Sequence, residues 1–486
     1  MTVSKPIGVR VSLAIAITLV ALLFASRIWL IPAHYSAVSN EGWNAFQAAR
    51  AFGAGPLYPA PGGLTGNNYP PLSFYVVGWA GALIGDSIVA GRIISLIAVL
   101  AVAGSIWAMV RRMCGAGSIA PIIGTLLFLG FNATLFRSYV AMNDPQWLAH
   151  ALMMTGLGVI LPDRPGVAPG ARNVVVGCLL MLLGGMVKHN LVAFPLATSL
   201  WLAWHHRQSF LIWAGTGVAS LLVTAGLCYW AYGPDFFVDL ITADRYYSRL
   251  RMVLKSAPVV LALIPLTVVA FGLLRFRKSD SRLDLLLIAV TISVPLGVLQ
   301  RSGQGVNRNA HFEALIALCI AGAIALDRIG ARSSKTLPNG LLPWLILPFI
   351  PLVPMTLWAE WKEVSGRQPA EASWQRMEQR IANTPGQVAC QTPALCYWAG
   401  KQFEIDFFLY GQRVARTHDS TRLQHALDAH SFAAIEIGPK LPAARTGEVA
   451  DPLGPIIDRR YRAIFVNDDG TRLLVPATTS SVAGQR

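Results

Sequence analysis

The run from Ile88 to Val110, IVAGRIISLIAVLAVAGSIWAMV, carries one charge, Arg92, in 23 residues. About 20 mainly apolar residues in a helix cross the hydrocarbon core of a bilayer. A surface helix of a soluble domain would show a polar face, and this one shows none. Working outward, similar runs lie near 9–31, 118–136, 145–161, 173–189, 191–204, 209–231, 257–274, 283–300, 310–327 and 340–358. That makes about eleven spans, of which 191–204 is the shortest and holds Pro195. The first run has Lys5 and Arg10 ahead of it, as a secretory signal does, but it is long and lacks a small-residue cleavage site. It reads as a retained span.

Composition agrees. Of the 486 residues 54% are hydrophobic and only 13% charged, where a soluble domain has about 25% charged residues. A soluble enzyme, a disordered chain and a disulfide-framework protein are excluded. The formal charge of +15, from 40 Lys+Arg against 25 Asp+Glu, sits mostly in short loops between apolar runs, which is how orientation is encoded. Nucleic acid is therefore not the partner.

Threading the spans alternately puts Arg111 and Arg112, then Arg164 and Arg172, then His205, His206 and Arg207, then Arg275, Arg277, Lys278 and Arg282, and finally Arg328, Arg332 and Lys335 on one side. Cytoplasmic loops hold the excess of Lys and Arg, so the amino terminus is expected inside and everything after residue 359 outside. One outer loop, 233–255, breaks the rule with Arg245, Arg249, Arg251 and Lys255. Cations on that face point to an anionic ligand.

The division expected is a transmembrane unit, 1–359, with a long first outer loop at 32–87, and an extracytoplasmic domain, 360–486. The second part is richer in Glu, Arg, Gln and Asp. Short β-like runs at 433–437, 463–466 and 472–475, an Asn-Asp-Asp-Gly turn at 467–470 and an amphipathic stretch near 373–382 predict a small α/β domain. The fold class is thus mainly α, a polytopic helical bundle with juxtamembrane helices and a small C-terminal α/β domain. Cys390 and Cys396 lie close together in this tail, and either a disulfide or two buried thiols fits them.

Polar side chains at bilayer depth are costly and gather where there is function. Here they gather on the outer side. The first outer loop opens Ser39-Asn40-Glu41-Gly42-Trp43 and continues at helical spacing through Phe46, Arg50 and Phe52. It then reads Asn67-Asn68-Tyr69-Pro70-Pro71-Leu72, ahead of an apolar stretch at 73–84 expected on or in the outer face. The next outer turns hold Met142-Asn143-Asp144-Pro145, then Lys188-His189-Asn190, and then Arg301 followed by Asn307, Arg308, Asn309, His311 and Glu313. Two acids, several cations and a set of amides suit an anionic leaving group and a proton to be removed from a nucleophile. Each residue also has a purely structural reading: Glu41 and Asp144 as helix caps, Lys188 as a snorkelling lysine, and Glu313 as a partner of Arg308 or His311. No metal-ligand spacing is visible, although His, Asp and Glu could assemble a divalent cation site in three dimensions. No nucleotide-binding loop is present.

The ordered set Asn40-Glu41-Gly42 through Ala49-Arg50, Tyr69-Pro70-Pro71-Leu72, Gly91-Arg92-Ile93-Ile94-Ser95-Leu96 and Asn143-Asp144-Pro145 resembles the C superfamily of integral-membrane glycosyltransferases. In pattern it is most similar to the bacterial lipid A aminoarabinose transferases and the protein O-mannosyltransferases. The resemblance covers roughly the first 200 residues and extends weakly through the Asn307–Glu313 turn. It implies a transferase of the bacterial cytoplasmic membrane, multi-pass, with a periplasmic active site and C-terminal domain. The expected partners are membrane lipids, a polyprenyl-phosphate sugar donor and a lipid, glycan or protein acceptor, without a certain cofactor. By position, Glu41 matches the glutamate of the family's Asp-Glu pair and Asp144 its second acid. Asn40 stands where the aspartate belongs. An amide is no general base, so Glu41 is the first choice for that role, with Asp144 the other, unless the chain has lost activity. The resemblance implies phosphate binding by Lys188, His189, Arg245, Arg249 and Arg301, and substrate contacts from Asn40, Tyr69, Asn143, Asn307, Asn309, His311 and Glu313. A transporter or flippase of lipid-linked sugars is the alternative. Transporters place broken helices and repeats at mid-membrane, and neither is evident here.

Overall fold

The computed structural model describes residues 7–36, 38–241, 245–332, 345–439 and 451–477. Lys5, Lys335 and the start of the eleventh expected span lie outside them. In chain order the first helices are α1 (Ile7–Trp29), α2 (Asn40–Ala51), α3 (Leu72–Ile84), α4 (Ser87–Cys114), α5 (Ala120–Ala133), α6 (Gln146–Ile160) and α7 (Ala171–Val187). Next come α8 (Ala193–His205), α9 (Arg207–Tyr232), α10 (Asp235–Ile241), α11 (Arg249–Phe271), α12 (Arg282–Gln300), α13 (Phe312–Arg332) and α14 (Phe349–Ser365). Each of the first ten expected spans overlaps a helix, α14 begins within the eleventh, and α2 and α3 are the helix pair expected in the loop 32–87.

The spans are uneven in length. Among the described residues six helices are long and apolar enough to cross a bilayer alone: those of α1, α4, α9, α11, α12 and α13. Helices α5, α6 and α7 are apolar but shorter. The chain leaves the helix early where polar residues intervene. At the end of α5 the Thr134 hydroxyl donates back to the carbonyl of Gly130 at 2.7 Å, and a short 3-10 turn at Arg137–Tyr139 follows.

Helix α13 forms the centre of the bundle, buried from Phe312 to Leu326. Trp147 of α6 stacks on Phe312 with ring centroids 4.0 Å apart, and Phe136 meets the same ring edge-on at 5.2 Å. Helix α9 lies at the periphery, with Leu222 and Trp230 exposed, as a lipid-facing helix should be. Asp86 caps α4 by accepting from the amides of Ile88 and Val89 at 2.7 and 3.2 Å. Helices α1 and α14 are joined by Arg27, which pairs with Glu360 and Glu363, and Arg137 reaches the same two acids. Helix α14 runs unbroken through residue 359.

The tail adds α15 (Arg367–Asn383), α16 (Pro393–Trp398), α17 (Phe407–Thr417), α18 (Thr421–Asp428) and α19 (Gly454–Asp458) around a four-stranded sheet. The strands are β1 (Val388–Cys390), β2 (Ala434–Ile437), β3 (Tyr461–Val466) and β4 (Arg472–Pro476), in the order β1-β2-β4-β3. Only β1 and β2 are parallel. The Asn467–Gly470 turn joins β3 to β4, with Gly470 at φ +84°. Buried Glu436 in β2 accepts from the amide and hydroxyl of Thr392, and its burial pushes the carboxyl up to about 7.

This tail packs directly on the loop between α1 and α4. A Cβ on Gly42 would overlap the amide nitrogen of Ala394, so α2 and α16 touch backbone to backbone. Phe46 of α2 stacks on Phe403 at 5.1 Å and shares the tail's apolar core. Cys390 and Cys396 are joined in a disulfide that ties α16 to β1.

Candidate active site

The site is built from the start of α2 outward. Asn44 donates to the carbonyl of Asn40 at 2.9 Å, as its place one turn along the helix allows, and to that of Asn143 at 2.8 Å. Asn143 in turn donates through its side chain to the carbonyl of Glu41 at 2.9 Å. These bonds fasten the 141–145 turn to α2. The turn is strained, with Ala141 at φ +54°, a left-handed conformation disfavoured for alanine. Gly91 of α4 makes room for it, since a Cβ there would overlap the Asn143 side chain.

Glu41 is buried at 3% exposure and held on all sides. Arg92 of α4 donates to both its oxygens at 2.7 Å, and the amide of Asn143 adds a bond of 3.1 Å. Arg92 also donates to the carbonyls of Ile31, Ala33 and Tyr35, closing the end of α1 onto this pair. Two carboxylate oxygens in a bidentate guanidinium fork are poorly placed to take a proton. Arg92 was not among the candidate residues. Its signal was in the sequence: one charge inside an otherwise apolar span asks for a buried partner.

Asp144 is also buried, but its bonds are fewer and weaker. One oxygen caps α6 by accepting from the amide of Gln146 at 2.9 Å, and the other receives the side chain of Asn40 at 3.4 Å. The ammonium of Lys188, at the end of α7, lies 4.0 Å from Asp144 Oδ1. Lys188 is buried too, and donates to the Tyr69 hydroxyl at 3.3 Å while lying 4.7 Å from the Tyr69 ring centroid. Tyr69 comes from the turn before α3, held by Asn67 Oδ1 on its amide and by the Tyr58 hydroxyl on its carbonyl. Four segments far apart in sequence thus bring Asn40, Tyr69, Asp144 and Lys188 together.

The tail reaches this group through Trp43. The Trp43 indole meets Tyr69 edge-on at 5.3 Å and donates to Asp406 at 2.8 Å. Asp406 also caps α17 through the amide of Leu409, and burial pushes its carboxyl up to about 6. Neither Trp43 nor Asp406 was a candidate, because no local pattern links residues so far apart.

The other expected residues divide. Arg245 is a charge neighbour of both Lys188 and His189 at the mouth of the site. His189 and Arg249 are exposed. Arg301, expected on a phosphate, donates to the carbonyls of Val306 and Lys255 and so shapes its own turn, as Arg251 does through Gly303 and Val306. Asn309 bonds Gln146, the residue that leads from Asp144 into α6, at 3.2 Å. Asn307 is exposed and His311 buried. Glu313 accepts from the amides of Ala193 and Phe194 at 2.9 and 3.2 Å, capping α8 instead of pairing with Arg308 or His311. Among the described residues no three His, Cys, Asp or Glu side chains gather in a way that would hold a metal ion.

No protein-family model and no curated protein matches the sequence. The solved structure of ArnT from Cupriavidus metallidurans bound to undecaprenyl phosphate is similar, with a TM-score of 0.57 and 13% identity over 99% of this chain and 100% of that one. Its apo form gives 0.56 and 14%, covering 99% of each chain. An oligosaccharyltransferase from Archaeoglobus fulgidus, at 0.48 and 10% identity over 95% of this chain and 74% of its own, adds no weight. Bundle, loop helices and tail therefore follow one plan from end to end, and the chain has the fold of these ArnT structures.

Proposed function

We propose that the protein is a membrane glycosyltransferase that moves a sugar from a polyprenyl-phosphate donor to an acceptor at the outer face of the cytoplasmic membrane. One observation carries this reading: a buried carboxylate, Asp144, and a buried ammonium, Lys188, lie 4.0 Å apart between the first outer loop and two further outer turns. In this reading Lys188, with Arg245 at the mouth, holds the donor phosphate. The acceptor hydroxyl forms the new bond to the anomeric carbon as the carbon–oxygen bond to the phosphate breaks. The phosphate leaves with the electron pair, neutralised by Lys188, and Asp144 takes the hydroxyl proton. Asn40 orients Asp144, a task an amide can perform, so its place in the Asp-Glu position does not remove the base. Glu41 holds the turn through Arg92. Helices such as α9 supply an apolar surface for the prenyl tail.

The transporter reading lacks comparable support, because the polar groups meet beside outer turns and not at broken helices in mid-membrane. The test is release of free polyprenyl phosphate from radiolabelled polyprenyl-phosphate sugars by the purified protein, with and without membrane extract as acceptor source. Release that requires the extract supports transfer. Saturable donor binding without release would favour a carrier.

A further inference from the structure

Helix α17 is linked, through one short chain of contacts each, to both cations that the proposed function places on the donor phosphate. At its start, buried Asp406 has one oxygen on the amide of Leu409 and the other on the indole of Trp43, each at 2.8 Å. The amide of Asp406 donates to the carbonyl of Leu64 at 2.8 Å, so this turn is bonded twice to the loop between α1 and α4. Trp43 meets Tyr69 edge-on, and the Tyr69 hydroxyl accepts from Lys188. The first chain thus runs from the tail to the ammonium of Lys188.

The second chain leaves α17 further along. Phe408 and Gln412, four residues apart, share one helix face. Phe408 lies over Gly305, where a Cβ would overlap its ring, and the buried Gln412 side chain accepts from the amide of Tyr246 at 3.1 Å. Tyr246 follows Arg245 directly. Its carbonyl accepts from the amide of Gln304 at 2.8 Å, and Ser248 donates to the carbonyl of Ser302 at 2.9 Å. The Arg245 segment therefore pairs with the turn that Arg251 and Arg301 hold. The Arg245 side chain lies across Gly303, where a Cβ would come within 2.8 Å of its Cδ.

Lys188 and Arg245 are charge neighbours and repel each other. Long cationic side chains also lose much rotamer freedom when ordered, a cost subtracted from binding unless the fold has met it beforehand. Asp406 and Gln412 are six residues apart, about 9 Å along one helix, and each fixes the support of one cation. We propose that α17 holds Lys188 and Arg245 at a set separation, so that Trp43, Asp406 and Gln412 are positioning residues for the donor phosphate. The proposal rests on the transferase reading, which supplies the phosphate, and gives the tail a part in donor binding.

The test is the Kd of radiolabelled polyprenyl phosphate for the detergent-purified full chain, in wild type, Trp43→Phe and Gln412→Met, each variant repeated with Lys188→Ala and with Arg245→Ala. Trp43→Phe removes the bond to Asp406 and leaves an aromatic ring against Tyr69, whereas Gln412→Met removes the acceptor for Tyr246 at similar length. Each is expected to raise Kd about three- to tenfold, the effect of one hydrogen bond. Added to Lys188→Ala, Trp43→Phe should change Kd by less than about twofold, because a positioning residue has nothing to add once the group it positions is gone. Gln412→Met should be silent in the same way on Arg245→Ala, and each should keep its full effect beside the other cation's variant. Wild-type Kd in either single variant, or the same loss in every background, assigns these residues to the fold of the tail and overturns the proposal. Weakened binding by Lys188→Ala in that case leaves the transferase reading standing. Wild type that binds no polyprenyl phosphate removes both.

Discussion

Glu41 and Asp144 look alike in sequence, as acids at the start of helices that follow loops, and their surroundings separate them. Glu41 is one half of a buried bidentate ion pair with Arg92. Glu41→Gln leaves that guanidinium buried with half its partner, and breaking such a pair costs about 3–5 kcal/mol. The expected result is a clear fall in thermal stability, read by thermal shift in detergent. Asp144→Asn keeps the cap on α6 but takes the carboxylate from beside buried Lys188, so its melting temperature should also fall, by less than that of Glu41→Gln because that contact is 4.0 Å and not a close fork. If Lys188 holds the donor phosphate as proposed, Lys188→Ala removes a charge-assisted contact worth about 1.5–3 kcal/mol. Its donor Kd should rise roughly ten- to a hundredfold, and an unchanged Kd would return Lys188 to a structural role. The acids and the lysine were legible from the sequence because charge at membrane depth is conspicuous. How tightly each acid is held was not, since that depends on Arg92, fifty-one residues from Glu41 along the chain.

At the scale of elements, apolar runs fixed where the helices lie, because a bilayer imposes length and composition together. Strands β2, β3 and β4 were legible from their β-branched and apolar runs. Strand β1 was not, since Val388–Cys390 is three residues long and parallel pairing to β2 leaves no local signal. The contact between α2 and α16 was equally hidden, although Gly42 marks it in hindsight. Gly42→Val should push α16 off α2, because its Cβ would overlap the backbone of Ala394. Faster tryptic cleavage of the tail is the readout, and wild-type resistance would count against this docking.

The same tail carries two buried carboxyls, Glu436 at about 7 and Asp406 at about 6, both raised by burial. Folded, they keep protons that the unfolded chain has released at pH values above about 4. The tail's stability should therefore fall as pH rises from about 4 to about 7, and level off above that. Hydrogen exchange of β2 at pH 5 and pH 8, corrected for the intrinsic rate, checks the sign. Greater protection at pH 8 would contradict it.

For the whole molecule, the likeness to ArnT extends over both chains nearly end to end at 13% identity, so the fold is alike where the sequences are not. The order of motifs in the first 200 residues carried the resemblance, whereas the later helices and the tail offered only composition. The reason is physical: spans tolerate any apolar side chain of suitable volume, while the outer turns must place particular polar atoms. In the proposed reading Asp144 beside Lys188 is the chemical centre and Glu41 is its support. Acceptor-dependent release of polyprenyl phosphate by purified wild type and Asp144→Asn, at matched folding, tests it most directly. A loss of about a hundredfold or more is expected in the variant, the usual contribution of a general base. Wild-type turnover in Asp144→Asn would contradict it.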